Sequence, residues 1–328
     1  MIRRPIPRRS LVALAAAPAL ARPGVARGQG RAAWPSRPIT LVVPYPPGGT
    51  TDLSARPVAP KLGEILGTSV VIENRAGAGG SIGADAVARA KPDGHTLLLF
   101  PTAVLTISPH VMDLPYDPAT AFTPVCMATM AYGIVAAHPS VPFDDVAGLI
   151  AHAKAHPGAL RFGSAGNGTI TQLSGELFAD VAGIRLEHVP YRGSAPSLTD
   201  LLANRVQLLF DPVAIPPILE GRLKAIATIA ETRNPQLPEV PTLREVGLEK
   251  AEAVPWFGIA APAGLPSAIL DRLTAALERV LTTPDVAQAV APMGMAPRFE
   301  AGETFANRIR RERAMYGDLV RRIGVRPG

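Results

Sequence analysis

PITLVVPYPPGGTTDLSARPVAPKLGEILG, residues 38–67, reads as a strand, a loop and a helix in succession. Ile39 to Tyr45 is a nearly unbroken apolar run, the pattern of a strand covered on both faces. Pro46-Pro47-Gly48-Gly49 interrupts it with turn residues. Thr51 to Leu66 then carries apolar residues at helical spacing and stops at Gly67. The same alternation continues with a strand over 69–74, a helix over 81–90 closed by Lys91-Pro92-Asp93-Gly94, and a strand over 96–100. A βαβαβ run of this kind indicates a parallel sheet with helices packed on it.

Around Met127 to Ala137 the punctuation disappears, and an apolar run crosses toward a second unit. A second alternation follows, with helices over 144–156, 169–182 and 195–204 and strands over 160–163, 186–190, 206–210 and 224–230. Another apolar run, Ala253 to Ala261, precedes helical stretches over 266–281 and 304–323. A chain of 328 residues suits two domains. We read two α/β lobes, each a mostly parallel sheet flanked by helices. Residues 34–131 and 253–328 make the first, residues 132–252 the second, and the two apolar runs are the crossings. Two sequential domains fit the periodicity alone.

An apolar fraction of 47% and a charged fraction of 18% exclude a wholly disordered chain. The formal charge of +6 invites a nucleic-acid reading, which the distribution removes. Arg3, Arg4, Arg8, Arg9 and Arg22 fall within residues 1–26, which hold no acid; beyond them 28 basic residues face 27 acidic ones. The near-neutral body has no electrostatic footprint for DNA or RNA. The arginine-rich start, the apolar run Leu11 to Ala21 and the small residues after it read as a secretory signal over 1–26. Arg8-Arg9 leaves the twin-arginine and general routes both open. No later stretch reaches the 18 apolar residues of a membrane span, so the mature protein is expected to be soluble and extracytoplasmic. Cys126 is the only cysteine, which rules out an intrachain disulfide and a cysteine metal cluster.

Pro46-Pro47-Gly48-Gly49-Thr50-Thr51-Asp52 lies between the first strand and its helix. Glycines admit close backbone approach, and helix-start amides favour an anion; a tight turn with a threonine cap fits equally. Gly163-Ser164-Ala165-Gly166-Asn167-Gly168-Thr169 holds the same place in the second lobe, so two loops can grip an anion from both sides. Ala76 to Gly83 resembles a dinucleotide loop loosely, but Ile82 replaces the last small residue and no acid follows about 20 residues on; it reads as a structural loop. His152 and His156 share a helix face without the glutamate of a zinc motif and read as a solvated helix end. Ser164 is not in a nucleophile elbow, because Phe162 replaces the first glycine, and no sequence signal brings a histidine to it. Asp211, at a strand's carboxyl end, either accepts a bond from a ligand or ties down a loop. Arg308, Arg310, Arg311 and Arg313 read as a solvated face. No catalytic set, metal or cofactor is expected.

The chain resembles the Bug-type periplasmic solute-binding receptors of the tripartite tricarboxylate transporter class. The resemblance rests on an ordered set: Trp34-Pro35, Arg37-Pro38-Ile39, Val43-Pro44-Tyr45, Pro47-Gly48-Gly49, Val71-Ile72-Glu73-Asn74-Arg75 and Gly77-Ala78-Gly79-Gly80. It continues with Pro92-Asp93-Gly94, Leu114-Pro115-Tyr116-Asp117-Pro118, Gly166-Asn167-Gly168, Val189-Pro190-Tyr191-Arg192-Gly193-Ser194-Ala195-Pro196, Leu209-Phe210-Asp211 and Trp256-Phe257-Gly258. It implies a two-lobed, hinged flytrap fold that holds a small carboxylate through loop amides, hydroxyls and waters. The implied first-lobe contacts are Tyr45, Gly48, Gly49, Thr50, Asp52 and Thr102. Those of the second lobe are Ser164, Ala165, Gly166, Asn167, Gly168, Thr169, Tyr191 and Asp211. It also implies membrane transporter subunits as partners, or a sensor protein if the role is signalling. An extracytoplasmic enzyme acting on a small acid is the rival class, and it lacks a positioned base, nucleophile or metal. The chain departs from the family pattern at Thr50, Gln172 and Pro212. It departs again in Phe100 to Leu105, whose apolar character points toward a monocarboxylate with an apolar tail over citrate.

Overall fold

The structure is a computed structural model that describes residues 34–323. The expected signal over 1–26 lies outside the described residues. In chain order the elements are β1 (Ile39–Val43), α1 (Thr50–Ala55), α2 (Val58–Leu66), β2 (Val70–Asn74), α3 (Ser81–Ala88), β3 (Thr96–Pro101), α4 (Ala103–Thr106), α5 (Ser108–Val111), β4 (Phe122–Ala131) and β5 (Gly133–Ala137). They continue as α6 (Val146–Ala155), β6 (Arg161–Ser164), α7 (Ile170–Ala182), β7 (Glu187–Pro190), α8 (Ser194–Leu202), β8 (Leu208–Phe210), α9 (Ile215–Leu219) and β9 (Lys224–Ile229). The last are β10 (Trp256–Pro262), α10 (Ser267–Leu281), α11 (Pro284–Val290), β11 (Met295–Ala301) and α12 (Gly302–Ile323).

Two sheets form, in the strand orders β11-β4-β10-β3-β1-β2 and β7-β6-β8-β5-β9. Each is mixed. β1 pairs in parallel with β2 and β3, and β6 with β7 and β8, as the βαβ reading requires. The other half of each sheet is antiparallel: β10 with β3 and β4, β11 with β4, and β5 with β8 and β9. The parallel part is thus narrower than the mostly parallel expectation. The cause is the crossings themselves. The apolar run at 127–137 is two strands, one in each sheet, broken at Tyr132, and the run at 253–261 enters the first sheet as β10. Strands that arrive from the other sheet have no crossover helix to turn them parallel.

Residues of β1 alternate between two cores, which is why its sequence shows no polar alternation. Leu41 and Val43 pack with α2, α10 and α11, whereas Val42 packs with α3, α4 and α12. In the second sheet Phe162 and Phe210 pack with α6 and α7, and Leu209 with α8 and α9. That core also takes Ala103, Ile107 and Val111 of α4 and its neighbours, and Tyr316 and Val320 of α12. The C-terminal helix therefore contributes side chains to the cores of both sheets. The single helix expected over 51–66 is two, because Pro57 has no N–H to continue α1; Gly67 ends α2 as expected, and it does so in the left-handed conformation.

Candidate functional site

The loops after β1, β6 and β8 leave from carboxyl ends of parallel strands, and they meet. Thr50, the first residue of α1, donates from its hydroxyl to Asp211 Oδ1 at 2.9 Å. Ser194, the first residue of α8, donates to Asp211 Oδ2. The Val213 amide also donates to Asp211 Oδ1, at 3.0 Å, across a turn begun by Pro212. Beside these groups is a buried cavity of about 30 Å³, walled by Gly49, Thr50, Thr51, Ala165, Thr169, Ile170, Thr171, Ser194 and Asp211 together with Tyr45, Pro101, Ala103 and Phe257. First-turn amides have no acceptor inside their own helix. The starts of α1, α7 and α8 thus turn their positive ends on one small space, and no cationic side chain lines it.

Tyr45 and Ala165 also border a wider chamber of about 540 Å³ between Gly77 to Ser81 on one side and Gly166, Asn167, Tyr191 and Arg192 on the other. The Tyr45 hydroxyl, raised well above its usual pKa by burial, donates to Gly79 O at 2.7 Å. The Tyr191 hydroxyl donates to Asp200 at 2.8 Å, and burial and that carboxylate push it up to about 12. The glycine loop at 77–80, read from sequence as merely structural, edges this chamber. Ala78 in it adopts φ 46°, a left-handed conformation uncommon for a residue with a Cβ.

The other expected contacts are placed differently. Gly48 is exposed, and its amide donates to Asp52 Oδ2 at 2.9 Å. Asp52 also accepts from Asn74 at 3.0 Å and from Arg56 at 2.7 Å, so it ties the first loop to its own lobe. Thr102 exchanges hydrogen bonds with the Trp256 backbone, at 3.0 Å as donor and 2.9 Å as acceptor. Gly168 donates to Gln172 Oε1 at 2.8 Å, while Thr169 accepts from the Gln172 amide, an arrangement that caps α7. Phe100, Val104 and Leu105 are turned into the core. Of that segment Pro101 and Ala103 face the cavity.

Ser164 has a histidine after all. His188 Nε2 lies 2.7 Å from its hydroxyl. The parallel register of β6 and β7 sets Phe162 against His188, stacked at 4.9 Å, and from there the imidazole reaches Ser164. Burial pushes His188 down to about 4. Among the described residues no carboxylate orients this histidine, and Ser164 lies outside both cavity walls. Sequence inspection misses the pair because it depends on strand register. Arg192 and Ser194 were part of the quoted motif but absent from the expected contacts.

The profile of the tripartite tricarboxylate transporter family receptor matches residues 54–325. The Bordetella pertussis protein BugT is 34% identical over 311 residues, which cover 94% of this chain and 95% of BugT. A protein of R. palustris whose structure was solved with adipate is 34% identical at a TM-score of 0.86, covering 90% of this chain and all of that one. MatC from Rhodopseudomonas palustris, solved with bound malate, is 32% identical at a TM-score of 0.83, covering 88% of this chain and all of that one. The two-lobed fold and the profile agree over nearly all the described residues: the chain belongs to the family of tripartite tricarboxylate transporter receptors.

Proposed function

We propose that this protein is an extracytoplasmic receptor that captures a small carboxylate between its lobes and presents it to membrane transporter subunits. The first lobe is residues 34–131 with 253–328, and the second residues 132–252. The observation that carries the reading is the convergence of the α1, α7 and α8 starts on one buried cavity. A carboxylate there replaces water with amides and hydroxyls already in place, and its bulk extends into the wider chamber. Closure is favoured only as far as the ligand binds the closed form better than the open one. The adipate and malate held by the two R. palustris neighbours support the ligand class. The Ser164–His188 pair stands outside this cavity, and the Thr50 and Ser194 hydroxyls on its wall are engaged as donors to Asp211.

Thermal unfolding against mono-, di- and tricarboxylates tests the reading. A ligand at about 100 times its Kd stabilises by roughly 2.7 kcal/mol. Gly49→Val should lower affinity for the best acid at least about tenfold, because the added methyls enter the cavity from its wall. No shift with any acid, or an unchanged affinity in the variant, would remove the cleft assignment.

A further inference from the structure

A second concave surface lies away from the cleft, between α12 and the segment that leads from α5 into β4. It encloses about 490 Å³. Leu105, Phe122 and Ile309, all buried, form its floor, and His110, Arg310 and Arg313 stand around it. Of the four arginines read as a solvated face, Arg308 is withdrawn into ion pairs with Glu300 and Glu312, at 2.7 and 3.1 Å. Arg310 meets Glu303 at 3.0 Å, but that carboxylate is 81% exposed and the pair is screened by water. Among the described residues no carboxylate lies within salt-bridge distance of the half-buried Arg313. Asp117 feels its charge, yet accepts from the Ala119 amide and the Thr120 hydroxyl instead.

His110 fixes the geometry. Its Nε2 is 2.8 Å from the Arg313 carbonyl, which can only accept, so Nε2 donates. The ring lies so close to α12 that a Cβ on Gly317 would approach it to 2.6 Å. The result is an apolar floor beneath a cationic rim held in place by α5.

We propose that this groove binds a small amphipathic organic anion, a carboxylate head on an apolar body, independently of the cleft. The volume is that of a small-molecule site, and arginine forks suit a carboxylate. The α12 face from Ala306 to Ala314 is about 12 Å long, short for a docked helix or strand.

Calorimetric titration with decanoate tests this on the whole protein. The expected result is equal binding to the parent and to Gly49→Val, and at least about tenfold weaker binding to the Arg310→Gln/Arg313→Gln double variant. Ala306→Phe, which fills the groove without changing charge, should also lose decanoate while keeping the parent's melting temperature. Decanol should bind more weakly than decanoate. Decanoate binding that Gly49→Val abolishes and the double variant retains would place it in the cleft and overturn the proposal. Equal affinity for decanol, or no binding at millimolar decanoate, would overturn it as well.

Discussion

Asp52 and Asp211 are both fully buried carboxylates, and the protein holds them in opposite senses. For Asp52, burial alone would raise the pKa, but Arg56, the Gly48 amide and Asn74 outweigh it and hold the carboxyl below its usual range. For Asp211, burial outweighs Ser194, the Val213 amide and Thr50, and the carboxyl is raised. The linkage signs therefore differ. Asp52 adds stability above its unfolded pKa, near 3.9, and loses it as pH falls through the folded value. Asp211 binds its proton more tightly folded than unfolded, so its stability contribution falls as pH rises from about 4 through the raised value. Asp52→Asn should cost roughly 1–3 kcal/mol at pH 7, with a gap to the parent that narrows toward pH 3. Asp211→Asn should lie within about 1 kcal/mol of the parent near pH 4 and gain on it as pH rises. Melting temperatures from pH 3 to 8 read both, and parallel curves for parent and variant would contradict either assignment. Anion affinity should likewise strengthen in the parent as pH falls and Asp211 is neutralised, and this dependence should vanish in Asp211→Asn.

The element that presents the second loop is α7, and its seat is a missing side chain. A Cβ on Gly175 would come within 2.4 Å of the Phe162 ring on β6. The absent methyl lets α7 lie close enough to the sheet for Thr169 to Thr171 to face the cavity. Gly175→Ala improves helix propensity by about 1 kcal/mol but overpacks the contact by roughly 1–3 kcal/mol. We expect net destabilisation of about 1 kcal/mol and weaker ligand binding, read from urea midpoints and titration; a more stable protein with intact affinity would show that the seat is loose. The start of α7 was read from the sequence within one residue, at Thr169, but its cap was not: the Thr169 hydroxyl accepts from the Gln172 amide in the folded turn. The start of α8 was likewise read within one residue, but its place on the cavity was not, because Ser194 reaches it only through the β6–β7–α8 order of the second lobe.

Across the whole molecule, the two lobes touch where glycines leave room. Ser108 donates to Gly168 O at 3.3 Å, and a Cβ on Gly79 would approach Asn167 O to 2.7 Å. A backbone oxygen cannot step aside cheaply, so Gly79→Ala should prop the lobes apart. Because Gly79 has φ 61°, part of the cost is local strain. Gly67→Ala, at φ 70° with open space around it, measures that strain alone. Small-angle scattering with saturating ligand should show a larger radius of gyration for Gly79→Ala than for the parent, and Gly67→Ala should match the parent. Equal radii in all three would mean that the loops do not limit closure.

Residues 38–67 were enough for the βα unit, its glycine loop and the stop at Gly67, because those depend on hydrophobic period and turn chemistry within a few residues. The ordered motifs likewise identified the family, and the strand-end position of Asp211 was legible. The mixed sheets, the break at Pro57, the role of Asp52 and the pairing of Ser164 with His188 were decided by tertiary structure. Each depends on which distant strand lies alongside, or on which buried donors surround a side chain. A carboxylate at a loop looks the same in one dimension whether it faces a ligand or its own lobe. Burial and hydrogen-bond partners separate the two, and only the packed chain supplies them.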